Sequence, residues 1–140
     1  HENTIAAVAI ALKEASTPAF KKYAKQVVKN AKTLAKELEK RGWHIISGGT
    51  DSHLILMDTW MNGPSTSSGQ AGGVTGKEAS IMLEKAGIIV NMNTIPGDPR
   101  SVMDPSGIRL GTCAETTRGK KEKDMVKIAE KMDKALRAKK

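Results

Sequence analysis

Arg109, set between Ile108 and Leu110, is the residue of this chain best placed by its neighbours to do chemistry. Side chains alternate between the two faces of an extended segment. Its apolar neighbours can therefore pack underneath while the guanidinium faces a cleft as a rigid fork for a carboxylate or phosphate. An exposed strand arginine paired with water or a surface acid is the plain alternative at this point. Residues 88–119 concentrate the constraints of the chain. Pro96, Gly97, Asp98, Pro99, Asp104, Pro105, Ser106 and Gly107 separate the apolar runs 88–90 and 108–110, which reads as strand, ordered loop and second strand. Other candidate groups fare less well. His44 and His53 have no third ligand at a useful spacing, so both are expected to be structural or hydrogen-bonding residues. Gly63, Gly69, Gly72 and Gly73 lack a strand-to-helix phosphate fingerprint, and Lys77 is followed by Glu78 instead of Ser or Thr. Cys113 is the only cysteine, which permits neither an internal disulfide nor a cysteine metal cluster and favours a reducing compartment.

The elements that must position Arg109 can be read from hydrophobic period. Ile5, Val8, Ala9 and Leu12 predict a short alanine-rich helix over 4–15, with so little polar surface that burial on more than one side is expected, either in this domain or against a part of the protein outside this chain. Thr17 and Pro18 restart the pattern as N-cap and first helical residue. Phe20, Tyr23, Val27, Ala31, Leu34 and Leu38 then step by three or four along a second helix that stops at Gly42. Trp43, Ile45 and Ile46 predict a first strand and residues 53–57 a second, apolar on both faces and so interior. Residues 60–74, rich in glycine and small polar side chains, are expected to form a flexible surface loop. Thr75 and Glu78 make a capping box for a third helix ending at Gly87, and Met125, Ile128, Met132 and Leu136 give the stripe of a last helix over 121–138. The fold class is α+β, an α/β sandwich in the order helix, helix, strand, strand, helix, strand, strand, helix.

The 140 residues suffice for one domain with a modest core. With 39% apolar and 27% charged residues the chain is neither a disordered nor a membrane-spanning composition. A net charge of +8 invites a nucleic-acid partner, but lysines scattered over several helices, interrupted by glutamates, and only 3% aromatic residues argue against one.

Five ordered segments carry a resemblance: HENTIAAVAIALKEA at the start, SGGTDSHLILMD at 47–58, TGKEAS at 75–80, NMNTIPGDP at 91–99 and SGIRLGTCAETTRG at 106–119. Together they resemble the C-terminal region of serine hydroxymethyltransferase, the pyridoxal-phosphate enzyme that interconverts serine and glycine with one-carbon transfer to tetrahydrofolate. The resemblance implies the small C-terminal domain of a fold type I pyridoxal-phosphate-dependent enzyme. Residues 1–15 would be part of the helix linking the large and small domains, and 16–140 the small α/β domain. It also implies that Arg109 pairs with the substrate carboxylate, that Asn93 and Ser101 help form the folate site, and that Arg118 orders the local active-site structure. The Schiff-base lysine would lie upstream, so no lysine here is assigned to it and no catalytic residue or metal site is expected in this chain. Pyridoxal 5'-phosphate and tetrahydrofolate would then serve the complete enzyme, with neither binding tightly to this chain alone, which is expected to be inactive.

The implied partners are the upstream large domain, further copies in a homodimer or tetramer, glycine, serine and folate, with no nucleic acid and no membrane. The expected compartment is the cytoplasm, with a mitochondrial or plastid site as the alternative because a leader would precede His1. Three departures from the family pattern stand out: Asp104 and Lys120 replace residues that are usually uncharged, and the 60–74 loop is longer than in compact bacterial members. The competing reading is a stand-alone, non-catalytic small-molecule binding or regulatory module that retains the fold.

Overall fold

The computed structural model describes residues 1–61 and 73–138. Five helices, α1 (Glu2–Ala15), α2 (Pro18–Lys40), α3 (Gly76–Lys85), α4 (Cys113–Thr117) and α5 (Glu122–Arg137), accompany four strands, β1 (His44–Ile45), β2 (Leu54–Asp58), β3 (Asn91–Asn93) and β4 (Gly107–Gly111). The strands form one antiparallel sheet in the order β1-β2-β4-β3. The fold is therefore α+β.

Local chemistry accounts for the helix boundaries. The Thr17 hydroxyl accepts from Phe20 N–H at 3.2 Å and Pro18 occupies the first turn of α2, where its missing N–H costs nothing. The α2 stripe buries Val27, Ala31, Leu34 and Leu38, although Phe20, at its start, is largely exposed. Gly42 at φ 88° and Gly87 at φ 74° end α2 and α3 in the left-handed region that glycine enters without strain. In α3 the capping box is reciprocal: Glu78 N–H donates to Thr75 Oγ1 at 3.2 Å and Thr75 N–H to Glu78 Oε2 at 3.1 Å.

One face of the sheet is closed by helices. Ile45, Ile55, Met57, Ile108 and Leu110 pack in a single core with Leu34 and Leu38 of α2, Ala79 and Leu83 of α3, and Met125, Met132 and Leu136 of α5. Burying each of the large side chains contributes about 1.5–3 kcal/mol. The interior position expected for the second strand is met by β2, which lies between β1 and β4.

One expectation needs correction, and two others stand otherwise. The strand assigned to the apolar run 88–90 falls instead on Asn91–Asn93, because Cα pairing with β4 begins at Asn91, opposite Arg109. Ile88 and Val90 still pack on the core as the chain approaches the sheet. Helix α1 buries none of its residues within this chain, and Ile5, Ile10 and Leu12 are each at least 60% exposed, so of the two expected covers this domain does not supply one. The expected 60–74 loop lies mostly outside the described residues, but its ends belong to the folded body: Gly73 N–H donates to the Trp60 carbonyl at 2.9 Å, and Val74 is a core residue.

Candidate functional site on the open face of the sheet

The register of β4 places Arg109 on the side of the sheet away from the helices. Ile108 and Leu110 point into the core and are buried, whereas Arg109 between them is exposed, as the alternation of a strand requires. Across the ladder Arg109 is paired with Leu56 on β2 and Asn91 on β3, and Gly107, two residues back on the same face, is paired with Asp58 and Asn93. Directly paired residues share a face, so Arg109, Asn91 and Asn93 stand together on two adjacent strands, the diagonal neighbours about 7–8 Å apart. Arg109 makes no ion pair and no side-chain hydrogen bond among the described residues. A guanidinium fixed by its strand and left without an internal acid is free to receive a carboxylate from outside.

One carboxylate, Asp98, gathers the turn between β3 and β4. Asp98 accepts hydrogen bonds from Ile95 N–H at 3.2 Å, Arg100 N–H at 2.9 Å, Ser106 N–H at 3.0 Å and Ser106 Oγ–H at 2.7 Å. Burial alone would raise its pKa, but these donors outweigh that effect, the Ser106 N–H foremost, and bring it down to about 2. The buried Ser106 passes the anchoring on, because its carbonyl accepts from Thr59 N–H, Trp60 N–H and Thr59 Oγ–H. Gly107 follows where nothing larger fits: a Cβ there would lie 2.6 Å from Ile95 Cγ2 and 2.9 Å from the Met57 carbonyl oxygen. Gly76 repeats this requirement at the start of α3, its N–H donating to the Pro105 carbonyl at 2.7 Å.

The remaining sequence-predicted residues are spread more widely. Asn93 is half-buried, its Nδ2 donating to the Thr94 carbonyl at 2.6 Å. Ser101 is exposed in the turn between Asp98 and Asp104, its carbonyl accepting from Asp104 N–H and its Oγ from Met103 N–H. Arg118 stands apart, just after α4, with its side chain 70% exposed and paired with Glu115. Thus Asn93 and Arg109 come together on one face, Ser101 belongs to the turn joining their strands, and among the described residues no hydrogen bond or ion pair joins the Arg118 side chain to them. No group of three or more His, Cys, Asp or Glu side chains that could hold a metal occurs among the described residues. His44 Nδ1 instead lies 3.5 Å from Oδ2 of the fully buried Asp58, whose Oδ1 accepts from Trp60 and Met61 N–H.

The two charged departures noted in the sequence find local partners. Asp104 pairs with Arg100, whose guanidinium also sits 4.3 Å from the centre of the Trp60 ring. Lys120 pairs with Glu115, and its ammonium together with the Arg118 guanidinium holds the Glu115 carboxyl below the usual carboxylate range despite partial burial.

Sequence reasoning missed the support behind β4. Asn30, buried on α2, donates to Thr116 Oγ1 at 2.9 Å and to the Lys120 carbonyl at 3.0 Å while accepting from Gln26 Nε2 at 2.9 Å. Thr112, directly after β4, donates to the Val27 carbonyl at 3.0 Å. These bonds lock α4 and the end of the arginine strand to α2. The available signal was a polar Asn30 at a stripe position, three residues after Val27 and four before Leu34.

Comparison with known proteins identifies the family. Residues 1–132 match the family model described as serine hydroxymethyltransferase. The serine hydroxymethyltransferase of Desulfotalea psychrophila is 46% identical over 136 residues, covering 97% of this chain and 30% of the relative. The mitochondrial serine hydroxymethyltransferase of Candida glabrata is 47% identical over 137 residues, covering 98% and 26%, and the probable cytosolic one of Schizosaccharomyces pombe is 46% identical over 136 residues, covering 97% and 27%. The chain thus spans less than a third of the length of these relatives. A matching family model over nearly all of its residues shows that the chain belongs to the serine hydroxymethyltransferase family.

Proposed function

We propose that this chain is the small C-terminal domain of a hydroxymethyltransferase that interconverts serine and glycine with one-carbon transfer to tetrahydrofolate, and that its open sheet face forms one wall of the active site. The observation that carries this reading is Arg109: exposed on an inner strand, without an internal acid among the described residues, and beside Asn91 and Asn93. Arg109 binds the amino-acid carboxylate through its fork and so fixes how the substrate is presented. Asn93, on the same face, offers an amide donor and acceptor to the folate ring, and Ser101 in the neighbouring turn shapes the folate side. Arg118 keeps the segment after β4 in place through Glu115. Pyridoxal 5'-phosphate supplies an electron sink for the carbanion formed at the substrate. The donors on this face suit the carboxylate and folate, and the lysine that holds the cofactor belongs to the preceding large domain. Residues 1–15 form part of the helix that joins that domain to this one, and the complete enzyme assembles as a homodimer or tetramer.

The test uses the complete enzyme. Arg109→Ala should raise the KM for serine by about a hundredfold or more, the loss of a charge-assisted bidentate contact, and Arg109→Lys should not restore it. Near-normal serine cleavage by Arg109→Ala would remove Arg109 from the role. The 140-residue chain mixed with pyridoxal phosphate, serine and tetrahydrofolate should show no saturable turnover.

A further inference from the structure

Lys21, Lys22, Lys25, Lys29, Lys32 and Lys36 of α2 are all exposed. At about 100° per residue they fall within an arc of about 100°, and they extend roughly 22 Å along the helix axis. No acidic residue lies between Pro18 and Lys36. Among the described residues only Lys32 of the six makes an ion pair, with Asp51 at 2.7 Å, and the Asp51 side chain is itself 97% exposed. The row cannot turn inward, because the other side of α2 is fixed in the core through Val27, Ala31, Leu34 and Leu38. It lies on the helix layer, away from the open sheet face that carries Arg109.

What the row contains, and what it lacks, selects its partner. Between Pro18 and Lys36 the arc holds lysines alone apart from Pro18 itself, and Glu39, also exposed, closes it one turn beyond Lys36. It offers no aromatic ring for stacking bases, no arginine fork for a planar anion, and no apolar centre of the kind that a protein interface desolvates. A flat, diffuse negative surface needs none of these, and a straight row of point charges meets it along its whole length. Among the described residues no helix is long and apolar enough to cross a membrane, so such contact is peripheral. We propose that the lysine row of α2 is a docking surface for an anionic phospholipid headgroup layer, held by charge and without insertion. Each lysine at such a surface strengthens partitioning about fivefold.

The test is co-sedimentation of the 140-residue chain with phosphatidylcholine vesicles containing one-third phosphatidylserine, at about 0.1 M salt. The chain should partition onto these and not onto phosphatidylcholine alone. Lys25→Glu with Lys29→Glu should weaken partitioning by about 25-fold or more, whereas Lys85→Glu with Lys131→Glu, the same change of net charge placed on α3 and α5, should leave it within about fivefold of the unaltered chain. Circular dichroism checks that the variants fold. If the reversed pair does not, Lys25→Gln with Lys29→Gln should still give a loss of about 25-fold. The proposal is overturned by failure to sediment with the anionic vesicles, by an equal loss in both charge-reversed variants, or by a single-stranded oligonucleotide or polyaspartate binding through the same lysines more tightly than the vesicles do.

Discussion

Arg109 and Gly107 share one face of β4 and depend on opposite properties, a long charged side chain in one and none in the other. The absence of a side chain is as specific as the guanidinium, because a methyl group at Gly107 would press on Ile95, the Met57 carbonyl and the Asn93 carbonyl within 3.1 Å. Two of these neighbours are backbone atoms of the flanking strands, which cannot swing aside as a side-chain end could. Gly107→Ala should therefore cost about 1–3 kcal/mol, as overpacking of a tight site does, seen as a lower urea midpoint with an unchanged slope. An unaltered midpoint would show that the ladder has slack at this position. At this scale the candidate site was readable from sequence only in part. The alternation Ile108, Arg109, Leu110 announces which side chain faces out, but the face it shares with Asn93 depends on a pairing register that a single strand does not encode.

Among the elements, the β3–β4 turn gathers four of its hydrogen bonds on one titrating group, Asp98. The Asp98 pKa is lowered by folding from 3.8 to about 2. Its contribution is therefore complete above about pH 5 and disappears as pH falls through about 4 to 2. Discounted for partial exposure, the effect is on the order of 1–2 kcal/mol. Other carboxylates here also titrate low, so the informative quantity is a difference: the unaltered chain should lose about 1–2 kcal/mol more than Asp98→Asn between pH 5 and pH 2 in denaturant titrations. Parallel pH curves for the two would show that the carboxylate does not hold the turn. Helix ends were well described in advance, because Thr17 with Pro18, the Thr75–Glu78 box, and Gly42 and Gly87 act over a few residues. The third strand was misplaced because 88–90 is the apolar part but 91–93 is the bonded part. Core packing selects the former, whereas the backbone ladder, set by β4, selects the latter. The short helix α4 lacks a side-chain cap and an apolar period, and it is held by long-range bonds to α2 that no local pattern reports.

For the molecule as a whole, the sandwich is complete without its first helix. Helix α1 buries none of its own residues, and the core draws nothing from it. Removing residues 1–15 should change the folding free energy by less than about 1 kcal/mol while reducing any self-association of the chain, since Ile5, Val8, Ile10 and Leu12 offer apolar surface to other molecules. Equilibrium unfolding together with sedimentation velocity separates the two effects, and a large loss of stability would mean that α1 packs on the domain in solution. The alanine-rich composition correctly signalled a helix with something to cover, but composition carries no information on whether the cover lies in the same 140 residues.

The strand order β1-β2-β4-β3 has one more consequence. Arg109 rides on a strand bonded along both edges, and that strand is pinned to α2 through Thr112. Its guanidinium can rotate about its own bonds, but its root cannot travel without the sheet. Any displacement of Arg109 beyond rotation of its own side chain therefore carries the sheet with it, and the helices packed beneath it.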